Sequence, residues 1–484
     1  MATWLDARLG LTRPLLRPVP RFAINPLYWL GALTVVAFLI QGITGMIMML
    51  YYVPSPAAAF QSTKYIFDSV YYGRFLETVH LYTAYAMIML AFMHMMRGYF
   101  VSVHKKPREL MWITGMIMGF LTLGFGFTGY LLPWTVVSKS ATDVGIGIVD
   151  ALPAQISSFV SFLIVGAGGD ATELLRFYDL HVVVLPVVLL VLLTVKMYMM
   201  ETHGIAEPPG GLSQQGSRTA LPIFPDVTVY LLGLAAMFGS AMLLISVILP
   251  LNLPPEYTPQ LAAQFTAQPD WYFLWIYQIL KIAVFEGSGF PVALSLVTLV
   301  FLALFLLPFI DKGDERKLLS RPKFVTIGLI FIAELLVLAY WGLITPGQII
   351  PTANAVLVLG GTALLVGAAS LGAYAFYHGR EKHGGLGTRQ LTSRASSMFQ
   401  PGAVLILLIA AGSFAIGSSL NSSVSLILNG DDMFGFIRLG LSILLLGVTV
   451  LATAFFIYRL ELRSGLMKRR IRFLEIGWSA NDAH

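Results

Sequence analysis

Ten runs of apolar residues, separated by short polar breaks, set the rhythm of this chain. They start near Trp29, Val79, Met111, Leu175, Val227, Pro291, Val325, Ala353, Gly402 and Ile437. Each approaches the roughly 20 residues that an α-helix needs to cross a bilayer. The pattern predicts an all-α polytopic membrane protein with about ten transmembrane helices. The run from Gly402 is the weakest, because its apolar stretch fades at Gly417-Ser-Ser.

Two polar breaks are too long to be simple turns. Residues Thr135 to Glu173 carry two short apolar stretches, and Leu251 to Gly289 carries Pro269-Asp-Trp-Tyr-Phe. Long ordered loops usually have work to do. Glu207 to Pro222 is a Gly/Pro/Ser-rich linker and the best internal boundary. The expected organisation is a surface arm over residues 1–27, a four-helix bundle over 28–206, the linker over 207–222, further helices over 223–378, and an extension with two helices over 379–484.

Composition agrees with this pattern: 57% of the residues are hydrophobic and 12% charged, against roughly 25% charged in soluble domains. No cysteine occurs, which excludes disulfides, thiolate metal sites and thioether-linked haem in this chain. The net charge of +6 is explained by its distribution. Lys and Arg cluster at Arg8 to Arg21, Arg97 to Arg108, Lys312 to Lys323, Arg380 to Arg394 and Arg459 to Arg472, and these loops alternate with loops nearly free of basic residues. The positive-inside rule then predicts both termini in the cytoplasm. The N-terminus lacks the apolar core and cleavage site of a signal peptide.

Span two contains His80 and His94, fourteen residues apart. At 100° per residue they lie about 40° apart around the helix and about 21 Å apart along it. Imidazole inside a bilayer is uncommon and often functional. One histidine per leaflet suits two stacked haems, and it equally suits two histidines hydrogen-bonded in a helix interface. Span four offers His181, with Lys196 fifteen residues on. Span one has Gly31 and Gly45, and span three has Gly115 and Gly129, again fourteen apart. Glycines at those depths let a flat macrocycle pass close to backbone; ordinary small-residue helix packing would use them too.

Taken together, Gly31/Gly45, His80-x13-His94 followed by Met-Met-Arg97-Gly98, Gly129-Tyr-Leu-Leu-Pro-Trp134, Leu175-Arg-Phe-Tyr-Asp-Leu-His181 and Pro269-Asp-Trp-Tyr272 resemble cytochrome b of the bc1/b6f quinol oxidoreductases, over roughly residues 20 to 378. The fifteen-residue interval and the Gly204-Ile-Ala-Glu-Pro exit resemble the b6 type, with a subunit-IV-like half fused after the linker.

The resemblance implies two haem b groups. His80 and His181 would ligate the outer one, and His94 and the Lys196 position the inner one, with Arg97 a further cofactor-binding residue. It implies quinol oxidation at the outer face between Thr135 to Phe162 and Pro269-Asp-Trp-Tyr272, where Asp270 and Tyr272 would contact quinol and take part in its deprotonation. One electron would pass to a Rieske iron–sulfur protein and the other to an inner quinone. It also implies a c-type cytochrome partner, a homodimer and a prokaryotic cytoplasmic membrane. Without the resemblance, Pro269-Asp-Trp-Tyr reads as an interfacial segment anchored by its aromatics.

Several positions depart from the family. Lys196 stands where a histidine is usual: a neutral amine can bind iron, whereas a lysine near a helix end can snorkel to the interface and leave the iron five-coordinate or water-ligated, or the inner haem missing. Glu77 stands where an arginine usually meets a haem propionate, which would shift that role to Arg74 or leave that propionate protonated. Glu201 replaces a common histidine, and Asp226 becomes the candidate proton donor at the inner quinone, or else an N-cap of span five. His203, beside Gly204, reads as a loop residue. Two rival functions stand beside the leading one: a paralogue whose modified inner haem breaks the bifurcated cycle, and a haem-free transporter or membrane anchor.

Overall fold

The computed structural model describes residues 18–166, 168–206, 220–317 and 320–382. Among these residues eight helices are long and apolar enough to cross a membrane. The two last expected spans, most of the 1–27 arm and nearly all of the 379–484 extension lie outside the described residues.

The chain divides into two compact units. One comprises residues 1–36, 211–250 and 386–484. Its described part holds strand β1 (Pro18–Pro20), paired antiparallel with β2 (Ala220–Pro222) so that Val19 faces Leu221. Both side chains are buried. The linker expected over 207–222 therefore ends in a strand, because its last residues find an edge to pair with.

The helices follow in order: α1 (Leu30–Met49), α2 (Ala59–Ser69), α3 (Gly73–Phe100), α4 (Glu109–Leu131), α5 (Val136–Asp150), α6 (Ala154–Ile164), α7 (Asp170–Asp179) and α8 (Leu185–His203). Then come α9 (Thr228–Ile248), α10 (Leu274–Leu280), α11 (Phe290–Phe305), α12 (Pro322–Ile344) and α13 (Thr352–Lys382). A π turn, Leu180–Val184, joins α7 and α8 into one continuous span. Span two starts at Gly73, six residues before the apolar run at Val79: Tyr72 adopts a left-handed conformation that turns the chain into the helix, and Arg74 and Glu77 hide the start from a hydropathy reading.

In the second unit α4 packs against α3 and α8, and α12 packs against α10 and α13. The long loop after α4 is ordered as α5 and α6. Thr135 caps α5 in a reciprocal capping box with Ser138, which satisfies otherwise unpaired helix N–H groups. Lys139 of α5 is buried beneath Asp170 and Glu173, each at 3.4 Å, and so ties α5 to α7.

On the other side, the turn after α3 is pinned to the segment before α12. Asp311 accepts from His104 Nε2 at 2.9 Å and from Lys105 Nζ at 3.0 Å, and also binds Arg321. All four side chains are buried. Burial pushes the Asp311 carboxyl up, yet the hydrogen bonds from His104 and Lys105 and the charges of Arg321 and Lys105 outweigh it and hold the group below its ordinary value. Burial holds His104 down to about 4, partly offset by Asp311. The folded state thus binds fewer protons at both groups than the unfolded chain, so stability rises with pH. It is complete above the ordinary histidine value and is lost first as pH falls toward about 4. The expected result is a thermal midpoint that declines as the detergent-solubilised protein is acidified from about pH 7 to pH 5, by the equivalent of about 1–3 kcal/mol. Calorimetry on His104→Gln, which keeps a donor but cannot titrate, should find a flatter profile.

Candidate functional site

His80 and His181 meet across the bundle from α3 and from the π turn before α8, their ring centres 6.3 Å apart. A metal–imidazole bond of about 2.0 Å puts the centres of two trans imidazoles roughly 6 Å apart, so the gap suits one shared iron. Behind each ring lies a glycine. A Cβ added at Gly45 would stand 3.4 Å from His80 Cε1, and one at Gly129 only 2.5 Å from His181 Cε1. At Gly129 any side chain would drive the imidazole out of place.

Two threonines orient the rings. Thr44 Oγ1 lies 2.8 Å from His80 Nδ1, and Thr128 Oγ1 lies 3.2 Å from His181 Nδ1. Each hydroxyl donates its own proton one helical turn back, to Ile40 O at 2.7 Å and to Gly124 O at 2.8 Å. Each oxygen is therefore left to accept from Nδ1–H, with the Phe125 carbonyl a further acceptor at His181, which puts the lone pair on Nε2 and leaves it free to bind a metal. Neither threonine stood out in the sequence. The available signal was the dipeptide Thr-Gly recurring at 44–45, 114–115 and 128–129. Thr128→Val removes an acceptor that makes the imidazole more electron-donating. Losing a hydrogen bond of about 1 kcal/mol is expected to raise the midpoint potential of a haem held by this pair by roughly 40 mV for one electron, measurable by optical redox titration.

The fifteen-residue interval from His181 to Lys196 has a backbone cause. Leu185 N–H bonds to Leu180 O, five residues back, closing the π turn that holds His181. Pro186 follows at once; it has no N–H, and its ring crowds the carbonyl four residues before it. The turn widens by one residue, so fifteen residues on this span cover about as many turns as fourteen on α3.

At the inner position, Lys196 Nζ would lie 2.7 Å from a Cβ added at Gly115. The lysine thus crosses toward α4 over a glycine, as His181 does over Gly129, and does not run outward along α8. It lies within electrostatic range of His94, as does Arg97. His94 Nδ1 is buried with no hydrogen-bond partner among the described residues. Gly31 lies in the first turn of α1 and belongs to the first unit. Asp226 belongs there too, two residues after the extended Phe224 (φ −110°, ψ 132°), which puts it in the first turn of the span-five helix, one place inside its start. One other expectation changes. His203 is the last residue of α8, with Arg108 Nη2 donating to its carbonyl at 3.0 Å, because the helix runs on until Gly204, at φ +69°, stops it. Arg74 pairs with Asp68 at 3.7 Å on the exposed surface.

Asp270 and Tyr272 precede α10. Asp270 Oδ1 accepts from the Trp271 N–H at 3.0 Å, and Oδ2 accepts from Tyr85 Oη at 2.8 Å. Tyr272 is buried, and a Cβ added at Gly126 would stand 2.8 Å from its hydroxyl. Burial raises the Asp270 carboxyl above its ordinary value, while the bonds from Tyr85 and the Trp271 N–H pull it partly back. A half-buried carboxylate with a raised affinity for protons is suited to general-base work. An apolar groove of about 320 Å³ opens nearer α11, between Leu152–Pro153 and Pro291, Leu294 and Thr298; Asp270 and Tyr272 do not line it.

Comparison with known proteins decides the family. The model for cytochrome b (N-terminal)/b6/petB matches residues 85–259, and that for cytochrome b (C-terminal)/b6/petD matches residues 258–359. The cytochrome b subunit of the cytochrome bc complex of Chlorobaculum thiosulfatiphilum is 32% identical over 348 residues, 70% of this chain and 80% of the relative.

The chain belongs to the cytochrome b family.

Cytochrome b of Sulfolobus acidocaldarius is 31% identical over 391 residues, covering 74% of this chain and 69% of the relative. Cytochrome b6 of Heliobacterium mobile is 40% identical over 191 residues, 40% of this chain and 90% of the relative. The two family models match one after the other, so a b6/petB-like and a C-terminal b6/petD-like stretch lie in one polypeptide. Among solved structures, a chain of a hyperthermophilic respiratory Complex III superposes with a TM-score of 0.63 at 24% identity, covering 78% of this chain and 97% of that one; this likeness concerns the fold. Membership in the cytochrome b family implies haem binding and electron transport within an oxidoreductase complex, and eight apolar spans make this member a multi-pass membrane protein.

Proposed function

We propose that this cytochrome b subunit oxidises quinol at the outer face of a prokaryotic cytoplasmic membrane, with both termini inside, as part of a proton-translocating Q-cycle. Each quinol releases two protons and two electrons. One electron goes to a Rieske protein; the other crosses the bilayer between the outer and inner haem sites to a second quinone. The observation that carries this reading is the His80–His181 pair, spaced for one iron and backed by Gly45 and Gly129 in a chain of this family.

Bound haem supplies an iron that changes oxidation state by one electron. The remaining chemistry falls to the chain. Thr44 and Thr128 hold the outer histidines in the ligating tautomer. Asp270 accepts a quinol proton, while Tyr272 contacts the quinol. His94 and Lys196 hold the inner haem, with Arg97 beside them, and Asp226 supplies a proton to the inner quinone. A c-type cytochrome and a second copy of the chain complete the complex.

Lys196 favours a second reading. A primary amine in place of imidazole changes the inner haem's potential, and a large enough change would break the bifurcated cycle and leave one-way electron transfer to another partner. Family membership sets aside a haem-free transporter or anchor. The test is haem b per polypeptide on the purified complex, with optical spectra, for wild type and Lys196→Ala. Two haems in wild type, with one lost or its low-spin spectrum altered in the variant, is the expected result. An unchanged variant makes Lys196 a bystander, and one haem in wild type favours one-way transfer. Midpoint potentials of the two haems then separate the two readings.

A further inference from the structure

The acid proposed to take the quinol proton already has a partner from the haem-carrying helix. Tyr85 lies on α3, five residues beyond His80, and donates to Asp270 Oδ2 at 2.8 Å. Its ring packs edge-on against Trp271, with centres 6.2 Å apart at 81°, and lies 6.4 Å from Tyr272. The phenol is therefore held from both sides of the acid it binds. Around Asp270 the titratable neighbours are three phenols: Tyr85 from α3, Tyr130 from α4 and Tyr272 from its own segment. No cation is among the groups acting on it. A carboxylate so placed depends on neutral donors to stay charged, because burial opposes ionisation and hydrogen bonds to the charged form favour it.

We propose that Tyr85 is the positioning residue of quinol oxidation: its hydroxyl fixes Asp270 Oδ2 and holds the carboxylate ionised and aimed until quinol arrives. This rests on the reading of Asp270 as proton acceptor. Aspartate is one methylene shorter than glutamate and reaches less far from its own backbone; a donor from α3 pins the short acid at a set position. In the step, a quinol O–H bond breaks and an O–H bond forms on Asp270. The electron pair of the broken bond stays on the quinol oxygen and is drawn off as single electrons by the acceptors proposed above. The proton then leaves Asp270 for outside water. Tyr85 keeps its own proton throughout.

The test uses the assembled complex with Tyr85→Phe, Tyr85→Gln and Asp270→Asn, oxidising a short-chain quinol that the wild type accepts, from about pH 5 to pH 9. Haem content serves as the control for assembly. Without the phenol the acid limb of kcat/KM is expected to move up by about one to two pH units, the size of a lost hydrogen bond to a charged group, with rates converging at the alkaline end. Glutamine, which still donates, should recover part of the shift. An acid limb in Tyr85→Phe that coincides with wild type, beside an inactive Asp270→Asn, overturns the role of Tyr85 alone. An Asp270→Asn complex with wild-type rates overturns the reading of Asp270 beneath it. Infrared difference spectra of wild type against Asp270→Asn need no Tyr85 variant. The protonated carboxyl band is expected at the frequency of a hydrogen-bonded acid, and a band at the frequency of a free acid carbonyl overturns the proposal.

Discussion

Alanine at position 181 is expected to strip the outer haem and leave the inner one, halving haem b per polypeptide from two to one by pyridine haemochrome assay. Two features give this change its size. His181 and His80 meet with their ring centres 6.3 Å apart, and the Phe125 ring, edge-on to His181 at 5.7 Å, has no donor atom to take a ligand's place. The cradle also persists without the ligand: Gly129 stays open and Thr128 keeps its bond to Gly124 O. The defect should therefore be loss of ligation, with the helices otherwise intact. Outer-sphere changes alone cost about 10–100-fold in metal affinity, and losing one of two axial ligands costs more. Quinol oxidation should fall to background. Two haems retained in His181→Ala would mean that the 6.3 Å pair is not the ligand set.

Asp270→Asn carries the second-largest effect, a fall in quinol oxidation of roughly 10²–10³-fold at neutral pH, the usual scale for losing a general base. Haem content and spectra should not change, because Asp270 bonds to Tyr85 and its own segment and to neither histidine. The pH dependence separates loss of a base from loss of shape. The wild-type carboxyl binds its proton more tightly than an ordinary aspartate, so its activity should be full at high pH and fall as pH drops through that raised value. The amide has no such limb, and its residual rate should stay flat across the same window. A sloping acid limb in Asp270→Asn would place the titrating base elsewhere.

At two of the candidate positions the structure supplies a local arrangement that the sequence did not show. At the inner position the imidazole is replaced by an amine that crosses over Gly115. At the outer site the acid is short, and Tyr85 reaches it from α3. Tyr85 was invisible as a functional residue because a tyrosine in an apolar span reads as packing or as an interfacial anchor. Only its distance to a residue 185 positions away gives it a role. Thr44 and Thr128 were hidden for a related reason. A threonine bonded one turn back looks locally complete, and its second function depends on a ring from another helix.

Much was determined by the order of residues alone. Apolar runs of bilayer length fix which segments are helical, because a chain in lipid must satisfy every backbone N–H and C=O within itself. Matching intervals on His80/His94, Gly31/Gly45 and Gly115/Gly129 mark two depths, because helical rise converts sequence distance into height. The tertiary structure alone decided what meets at those depths. It closed His80 on His181, turned Lys196 inward, and absorbed the odd residue of the last interval in the π turn before Pro186. Helical periodicity fixes height and face along one helix; which faces meet depends on packing between helices distant in sequence, and on one proline that cannot donate a hydrogen bond.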